Sequence, residues 1–403
     1  MAKNMKIKTD PKKIQELLTR GVEEVIVKEH LEKLLLSGEQ LRVKFGIDPT
    51  APDIHLGHTV PLRKLRQFQE MGHQIVLIIG DFTATIGDPS ARSEARQPLS
   101  QEQVRENMKN YLTQAGKVID LDKTEVHYNN EWYGQASALK LYELTSKVSV
   151  QRAMERDDFQ KRIKQGRDVS VLELLYPLLQ GYDSVMVKAQ VELGGNDQKF
   201  NLLMGRRVQR AYKMSEQDIM TFWLLEGTDG IHKMSKSLGN YIALNDQPED
   251  MYGKIMSIPD DLIVKYFLLL TDLSFEETQE MLKQSRTTGF DWKPRDKKAR
   301  LAREIISMYH NKKAAMAAEK EFERRFQEKA APRPSEIPTI KPSTYNIVTV
   351  LVESKICTSK GDARRQIEQG GVKINDKKIS SFEETVKKGD VVQKGSRFFV
   401  RVI

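Results

Sequence analysis

Residues 44–58, KFGIDPTAPDIHLGH, restrict the fold more than any other stretch of this 403-residue chain. Leu41 to Ile47 are β-rich, prolines follow at 49 and 52, and His-Leu-Gly-His opens a run whose apolar residues (Leu56, Val60, Leu62, Leu65, Phe68) recur at helical spacing. Gly72 stops that helix, and Gln74 to Ile79, QIVLII, is an unbroken apolar run of strand length. Strand, helix and buried strand in close succession predict a right-handed βαβ unit in a parallel sheet. The turn between strand and helix aims backbone N–H groups and the positive end of a helix dipole at one point, which suits an anion such as a triphosphate. Such sheets bind ligands outside the carboxyl ends of their strands, so this corner and the stretch Gly80 to Arg96 are expected to line one crevice.

On a helix His55 and His58 share a face. Gly57 between them, lacking a Cβ, lets a flat ring or a sugar lie against the backbone. Asp53 is the expected N-cap. Alone, a His-x-x-His is more often two ordinary helix histidines, and only the rest of the chain changes that reading.

Net charge is +9, unevenly spread. Residues 341–403 carry 13 Lys and Arg against 7 Asp and Glu, residues 286–329 the same, and the remainder is slightly acidic. A polyanion is therefore expected on the C-terminal third. The single cysteine, Cys357, excludes a disulfide framework or a Cys-based metal site and suggests a reducing compartment. The basic N-terminus is followed by no apolar stretch, and no run approaches the ~18 apolar residues of a membrane span. The expectation is a soluble, cytoplasmic protein.

Along the chain, residues 11–37 read as helical, Ser100 caps a helix to about Gly116, and a short strand is expected near Glu125–Tyr128. Tyr176 to Asn201 reads as a helix, then a strand from Val185 to Leu193 that ends at Gly194-Gly195, then a helix opened by Asn196 and Asp197. Asp197 is placed like the acidic residue that holds a ribose hydroxyl, a weak signal by itself. A turn-rich loop, Gly227 to His232, leads into Lys233-Met234-Ser235-Lys236-Ser237, a mobile cationic loop suited to closing over phosphates. Residues 248–330 are helical and basic, 330–344 hold four prolines, and a compact module of two helices and short strands follows.

The HLGH element with KMSKS well downstream resembles the paired signature of class I aminoacyl-tRNA synthetases. The intervening Tyr176-xxx-Gln180-x-Tyr182-Asp183 and Leu193-Gly194-Gly195-x-Asp197-Gln198 resemble the bacterial tyrosyl-tRNA synthetases, and GDARRQIEQGGVKIN resembles the core of their S4 RNA-binding domain. The resemblance covers essentially the whole chain. It implies an α/β fold: a Rossmann-like, doubly wound parallel-sheet catalytic domain over 1–247 with a dimer-interface insertion at about 120–170, an α-helical anticodon-stem domain over 248–330, a linker at 331–344, and a small α+β S4-like RNA-binding domain over 345–403.

The implied reaction is activation of L-tyrosine by ATP, giving tyrosyl-adenylate and pyrophosphate, and transfer of tyrosine to tRNA(Tyr). His55, His58 and Thr50 would contact the phosphates, Gly57 would lie under the ribose, and Lys233, Lys236 and Ser237 would hold the outer phosphates. Asp197 would accept from the ribose hydroxyls, with Gly195 beside it, and Asp48 would sit where nucleotide and amino acid meet. Asp88, Tyr176 and Gln180 match positions that hold the ammonium, Gln198 serves the carboxylate, Thr83 is a pocket wall and Asp183 receives the phenolic hydroxyl. Enzymes of this family are themselves the standing example of rejecting phenylalanine without editing, because a site built to bond the hydroxyl leaves its polar groups unpaired when the hydroxyl is missing. Mg²⁺ arrives with ATP as substrate, without a protein-built metal cage or a tightly bound cofactor. Arg364, Arg365 and Lys373 are the expected contacts to the tRNA backbone, and the family is a homodimer.

Three positions depart from the better-known branch of the family. Lys44 stands for a Tyr that is the second partner of the substrate hydroxyl, Glu192 for a Gln, and Arg92 for a Lys. Lys44 either donates to the hydroxyl or turns away, and as a nearby cation it would keep Asp183 ionised. A tryptophanyl enzyme, with the same catalytic domain, is disfavoured by Asp183 and by the S4-like tail. A non-catalytic RNA-binding paralogue would be expected to have lost His55, His58, Lys233 or Lys236, and none is lost.

Overall fold

The computed structural model describes residues 6–90, 99–274, 276–278, 280, 293–326, 337–395 and 398–403. Arg92, the end of the stretch Gly80 to Arg96, and most of the proline-rich linker lie outside them. Contacts divide the chain between residues 316 and 317 into two compact units.

The first unit is organised by six strands: β1 (Val22–Ile26), β2 (Arg42–Ile47), β3 (Gln74–Ile79), β4 (Thr124–Tyr128), β5 (Val191–Gly195) and β6 (Asp218–Phe222). Their order in the sheet is β1-β6-β5-β2-β3-β4. All pairings are parallel except that of β1 with β6. The chain winds outward from β2 through β3 to β4, and again from β5 to β6. The winding therefore reverses between β2 and β5, where a doubly wound sheet opens its ligand crevice. Val43, Ile75 and Val191 are inaccessible to solvent, as expected for strands covered on both faces. The Leu56–Glu70 helix follows β2 as expected and buries Leu56, Leu62, Leu65 and Phe68.

Helix Val171–Met186 packs closely on helix Lys199–Ala211. A Cβ at Gly181 would come within 2.9 Å of Val208 Cγ2 and 3.2 Å of the Gly205 Cα, so glycine is what lets these two helices approach. This packing carries the face of the first helix that bears Tyr176, Gln180 and Asp183 over the end of the sheet.

Several expected elements differ. Residues 11–37 are not one helix: Pro11–Thr19 and Lys28–Ser37 flank β1. The VEEVI segment becomes a strand by pairing with β6, almost 200 residues away, a tertiary choice that its β-branched residues tolerate. Helix Val171–Met186 runs on through Val185, where a strand was expected, and β5 is correspondingly short. The helix capped by Ser100 is two pieces, Gln101–Met108 and Tyr111–Ala115, although the Ser100–Gln103 capping box is present. The 56–70 helix starts at His55 rather than Asp53: His55 is the N-cap, and its backbone N–H donates to His58 Nδ1 at 3.2 Å.

The second unit has its own five-stranded sheet: β7 (Thr339–Ile340), β8 (Val372–Ile374), β9 (Lys377–Lys378), β10 (Val391–Lys394) and β11 (Phe398–Val402), in the order β7-β11-β10-β8-β9. Helices Ile347–Glu353 and Lys360–Glu368 close a core of Ile347, Val350, Leu351, Ile367, Val372, Val392 and Val402. Among the described residues no helix is long and apolar enough to cross a membrane.

Candidate active site

A cavity of about 1110 Å³ opens at the carboxyl ends of β2 and β5. Its wall contains Asp48, Thr50, His55, Gly57, His58, Thr83, Asp88, Tyr176, Gln180, Asp183, Gly195, Asp197, Gln198, Lys233, Lys236 and Ser237. Among residues assigned from the sequence to ATP or tyrosine, Lys44 alone lies outside it. Arg364, Arg365 and Lys373 belong to the second unit.

One end of the cavity is a chain of acids and their donors. Asp48, at the end of β2, accepts from Thr83 Oγ1 at 2.8 Å and from the Tyr176 hydroxyl at 2.8 Å. A Cβ at Gly80 would collide with both Asp48 and Thr83, so this contact requires glycine there. Burial pushes Asp48 up to about 7, against those two hydrogen bonds. Asp88 accepts from Gln198 Nε2 at 2.6 Å and from the Ser90 hydroxyl at 2.6 Å. Asp183 accepts from the Trp132 indole at 2.9 Å and from Asn129 Nδ2 at 3.4 Å; the same amide donates to Thr83 at 3.0 Å. Burial raises Asp183 to about 6, while Lys44, Trp132 and Asn129 pull it back. The nearby cation thus does not hold this carboxyl in the ordinary aspartate range: desolvation outweighs it. Trp132 and Asn129 escaped the sequence reading, because donors to a buried carboxylate carry no local motif.

The other end is cationic. The segment just after the KMSKS loop is tied to the first corner by main-chain bonds: Leu56 N–H donates to Ile242 at 2.9 Å and Leu244 N–H to Ile54 at 2.9 Å. Buried Asn240 organises the loop, receiving Ser235 N–H at 2.8 Å and donating to Asp229 at 3.0 Å. A Cβ at Gly227 would strike Asn240. Lys233 Nζ lies 2.8 Å from Asp197 Oδ2, and Lys236 Nζ lies 3.8 Å from Asp53.

The histidine rings lie 3.8 Å apart between centroids, tilted by 35°. Burial, assisted by Lys236 and Lys233, lowers His58 to about 4 and holds His55 well below its ordinary value, with His58 adding to the effect on His55. Both are neutral at physiological pH and offer N–H groups rather than positive charge. Among the described residues, His55 Nδ1 and Lys236 Nζ are buried with no hydrogen-bond partner within reach. Among the described residues no three His, Cys, Asp or Glu side chains converge as a metal cage.

Comparison with known proteins agrees with this geometry. Residues 36–327 match the family of class I tRNA synthetases (W and Y), and residues 330–400 match the tyrosine--tRNA ligase SYY-like C-terminal domain. The chain is 48% identical over 398 residues to the tyrosine--tRNA ligase of Dehalococcoides mccartyi, covering 97% of this chain and 98% of that one. It is 47% identical over 395 residues to that of Thermotoga maritima, with the same coverage. In fold it is similar to a C-terminally truncated mitochondrial tyrosyl-tRNA synthetase of Aspergillus nidulans (TM-score 0.65, 23% identity, 78% of this chain and 94% of that one). It is also similar to the Archaeoglobus fulgidus tyrosyl-tRNA synthetase complexed with L-tyrosine (TM-score 0.61, 23% identity, 77% and 100%). With matches spanning nearly its whole length and both halves, the chain belongs to the class I tRNA synthetases, among the tyrosine--tRNA ligases.

Proposed function

We propose that the acidic end of the cavity takes L-tyrosine and the cationic end takes ATP with Mg²⁺, so that the enzyme forms tyrosyl-adenylate and then esterifies tRNA(Tyr). The observation that carries this reading is the meeting of both chemistries in one cavity: Asp183, Asp48 and Asp88 share its wall with Lys233, Lys236 and the neutral histidines.

In the first step a tyrosine carboxylate oxygen bonds to the α-phosphorus of ATP as the bond to pyrophosphate breaks. No bond forms to the protein. Rate enhancement therefore comes from holding the two reactants and from donors aimed at the charge that develops on the phosphates. Asp183 receives the phenolic hydroxyl, Asp88, Tyr176 and Gln180 the ammonium, and Gln198 lies by the carboxylate. His55, His58 and Thr50 donate toward the inner phosphates, and Gly57 and Gly195 leave room for ribose and base. Lys233 exchanges Asp197 for the outer phosphates, which frees Asp197 for the ribose, and Lys236 and Ser237 complete the clamp. Mg²⁺, a hard cation that keeps several waters, travels with the phosphates as part of the substrate.

Residues 1–247 act as the catalytic domain, and the helical region 248–330 and the module 345–403, joined by a linker over 331–344, grip the tRNA. Arg364 is exposed and Arg365 is paired with Asp362 at 2.8 Å, a surface pair weak enough for phosphate to displace. Lys373 on β8 is the third contact. Leu139, Tyr142, Val150 and Val171 are strongly exposed apolar residues on neighbouring helices, the surface expected of a homodimer interface. The cytoplasm, where bacterial translation runs, is the compartment this reading assigns.

Pyrophosphate exchange tests the reading: labelled pyrophosphate enters ATP only when tyrosine is supplied. Equal exchange with tryptophan would refute the assignment of the pocket.

A further inference from the structure

Lys44 and Glu192 stand directly opposite one another on β2 and β5, at the point where the winding of the sheet reverses. The ammonium lies 2.8 Å from Glu192 Oε1, and neither side chain is more than 1% exposed. Lys44 also donates to the Gln180 carbonyl at 2.9 Å and to the Ser184 hydroxyl at 2.8 Å. An ammonium has three N–H bonds, and these three partners use them all. Lys44 therefore has no donor left for a substrate hydroxyl, and any influence it has on tyrosine runs through its neighbours.

Those neighbours are one helical turn apart and bracket Asp183. Glu192 closes the other side of the network: it accepts from Ser184 Oγ at 3.1 Å, from Gln180 Nε2 at 3.2 Å, and from Gln217 Nε2. Gln180, whose Nε2 donates to Glu192, is also a wall of the cavity. A buried ion pair is weak evidence for stability, since neutral side chains of similar volume often serve as well.

We propose that the Lys44–Glu192 pair is a positioning unit for tyrosine: it holds the helical turn bearing Gln180 and Asp183 on the sheet and supplies the cation that Asp183 faces, thereby governing selection of tyrosine over phenylalanine without touching either. This rests on the reading in which Asp183 receives the phenolic hydroxyl. Lys44 is the cation acting on that carboxyl. The other groups around it are the Asp48 carboxyl at the end of β2, the Tyr133 phenol and Trp132 and Asn129 donors near β4, and Tyr176 on its own helix. Removing the cation leaves only the Trp132, Asn129 and Tyr133 donors to oppose burial, which favours a neutral Asp183, a poorer acceptor.

Pyrophosphate exchange with tyrosine and with phenylalanine, followed through the pH range in which Asp183 titrates, tests the proposal on four proteins: wild type, Asp183→Asn, Glu192→Gln, and Lys44→Met combined with Glu192→Gln. In the double variant, which leaves no unpaired buried charge, KM for tyrosine and the tyrosine-to-phenylalanine ratio of kcat/KM should each worsen about tenfold, with the acidic limb of tyrosine kcat/KM moved up by roughly one pH unit and KM for ATP unchanged. Glu192→Gln alone leaves the cation unbalanced and should move that limb down. Opposite movements are a readout that loosened packing would not produce. Movement of both limbs in one direction, or a folded double variant with wild-type ratio and pH profile while Asp183→Asn loses discrimination, overturns this proposal alone. An unchanged ratio in Asp183→Asn overturns the hydroxyl assignment and this proposal with it.

Discussion

Lys44 and Glu192 form an ion pair at 2.8 Å in the middle of the sheet, where neither reaches solvent. Breaking such a pair from one side strands a buried charge, at a cost of about 3–5 kcal/mol. Lys44→Met should therefore lower the denaturation midpoint sharply in urea melts, while Lys44→Met with Glu192→Gln should recover most of the loss. A double variant as unstable as the single would mean that packing of the lysine stem, not charge, is what matters.

Asp183 should carry most of the discrimination against phenylalanine. Asp183→Ala removes the acceptor and takes from the Trp132 indole its partner at 2.9 Å, while the Asn129 amide keeps Thr83. The tyrosine-to-phenylalanine ratio in pyrophosphate exchange should fall by at least about tenfold, mainly through the tyrosine arm. An unchanged ratio would exclude Asp183 as the hydroxyl acceptor.

Lys233 now rests on Asp197 and is assigned to the outer phosphates during reaction. Lys233→Ala should reduce the rate of exchange by about 100-fold or more, as for loss of a preorganised charge donor, with tyrosine affinity by equilibrium dialysis unaffected. Equal losses in both measurements would point to collapse of the loop instead.

Two groups in the cavity wall predict opposite responses of stability to pH. Asp48 rises from 3.8 to about 7 on folding, so the folded chain binds the extra proton and stability declines as pH climbs between those values. Asp48→Asn should thus raise the denaturation midpoint above pH 7 while abolishing exchange. His58 falls from 6.5 to about 4, so the unfolded chain takes up the proton first and stability is lost as pH drops through that window. His58→Gln should flatten the acid-side decline, as read from urea midpoints at several pH values.

The elements from residue 339 onward have their own sheet and core. A chain ending at residue 330 should lose aminoacylation of tRNA(Tyr) and keep tyrosine-dependent exchange. Loss of both activities would assign residues 331–403 a structural role.

Much of this was legible in the chain. The corner at 44–58, the QIVLII strand and the Ser100 capping box are local signals: turn residues and side-chain periodicity act over a few positions, and the folded chain obeys them. What was not legible depends on partners distant in sequence. VEEVI became a strand only because β6 offered an edge, and the lysine loop owes its shape to Asn240, an ordinary asparagine until Gly227 admits it.

The corner that begins at Lys44 shows the same division. By itself the sequence determined that an anion-receiving turn opens a helix there and that two histidines and two lysines are available to it, because spacing and residue type decide both. Only the tertiary structure decided that the histidines are neutral, that Asp183 is lifted toward neutrality, and that Lys44 is paired with Glu192. Those outcomes are set by desolvation and by the charges brought within a few ångströms, and neither exists until the strands have paired.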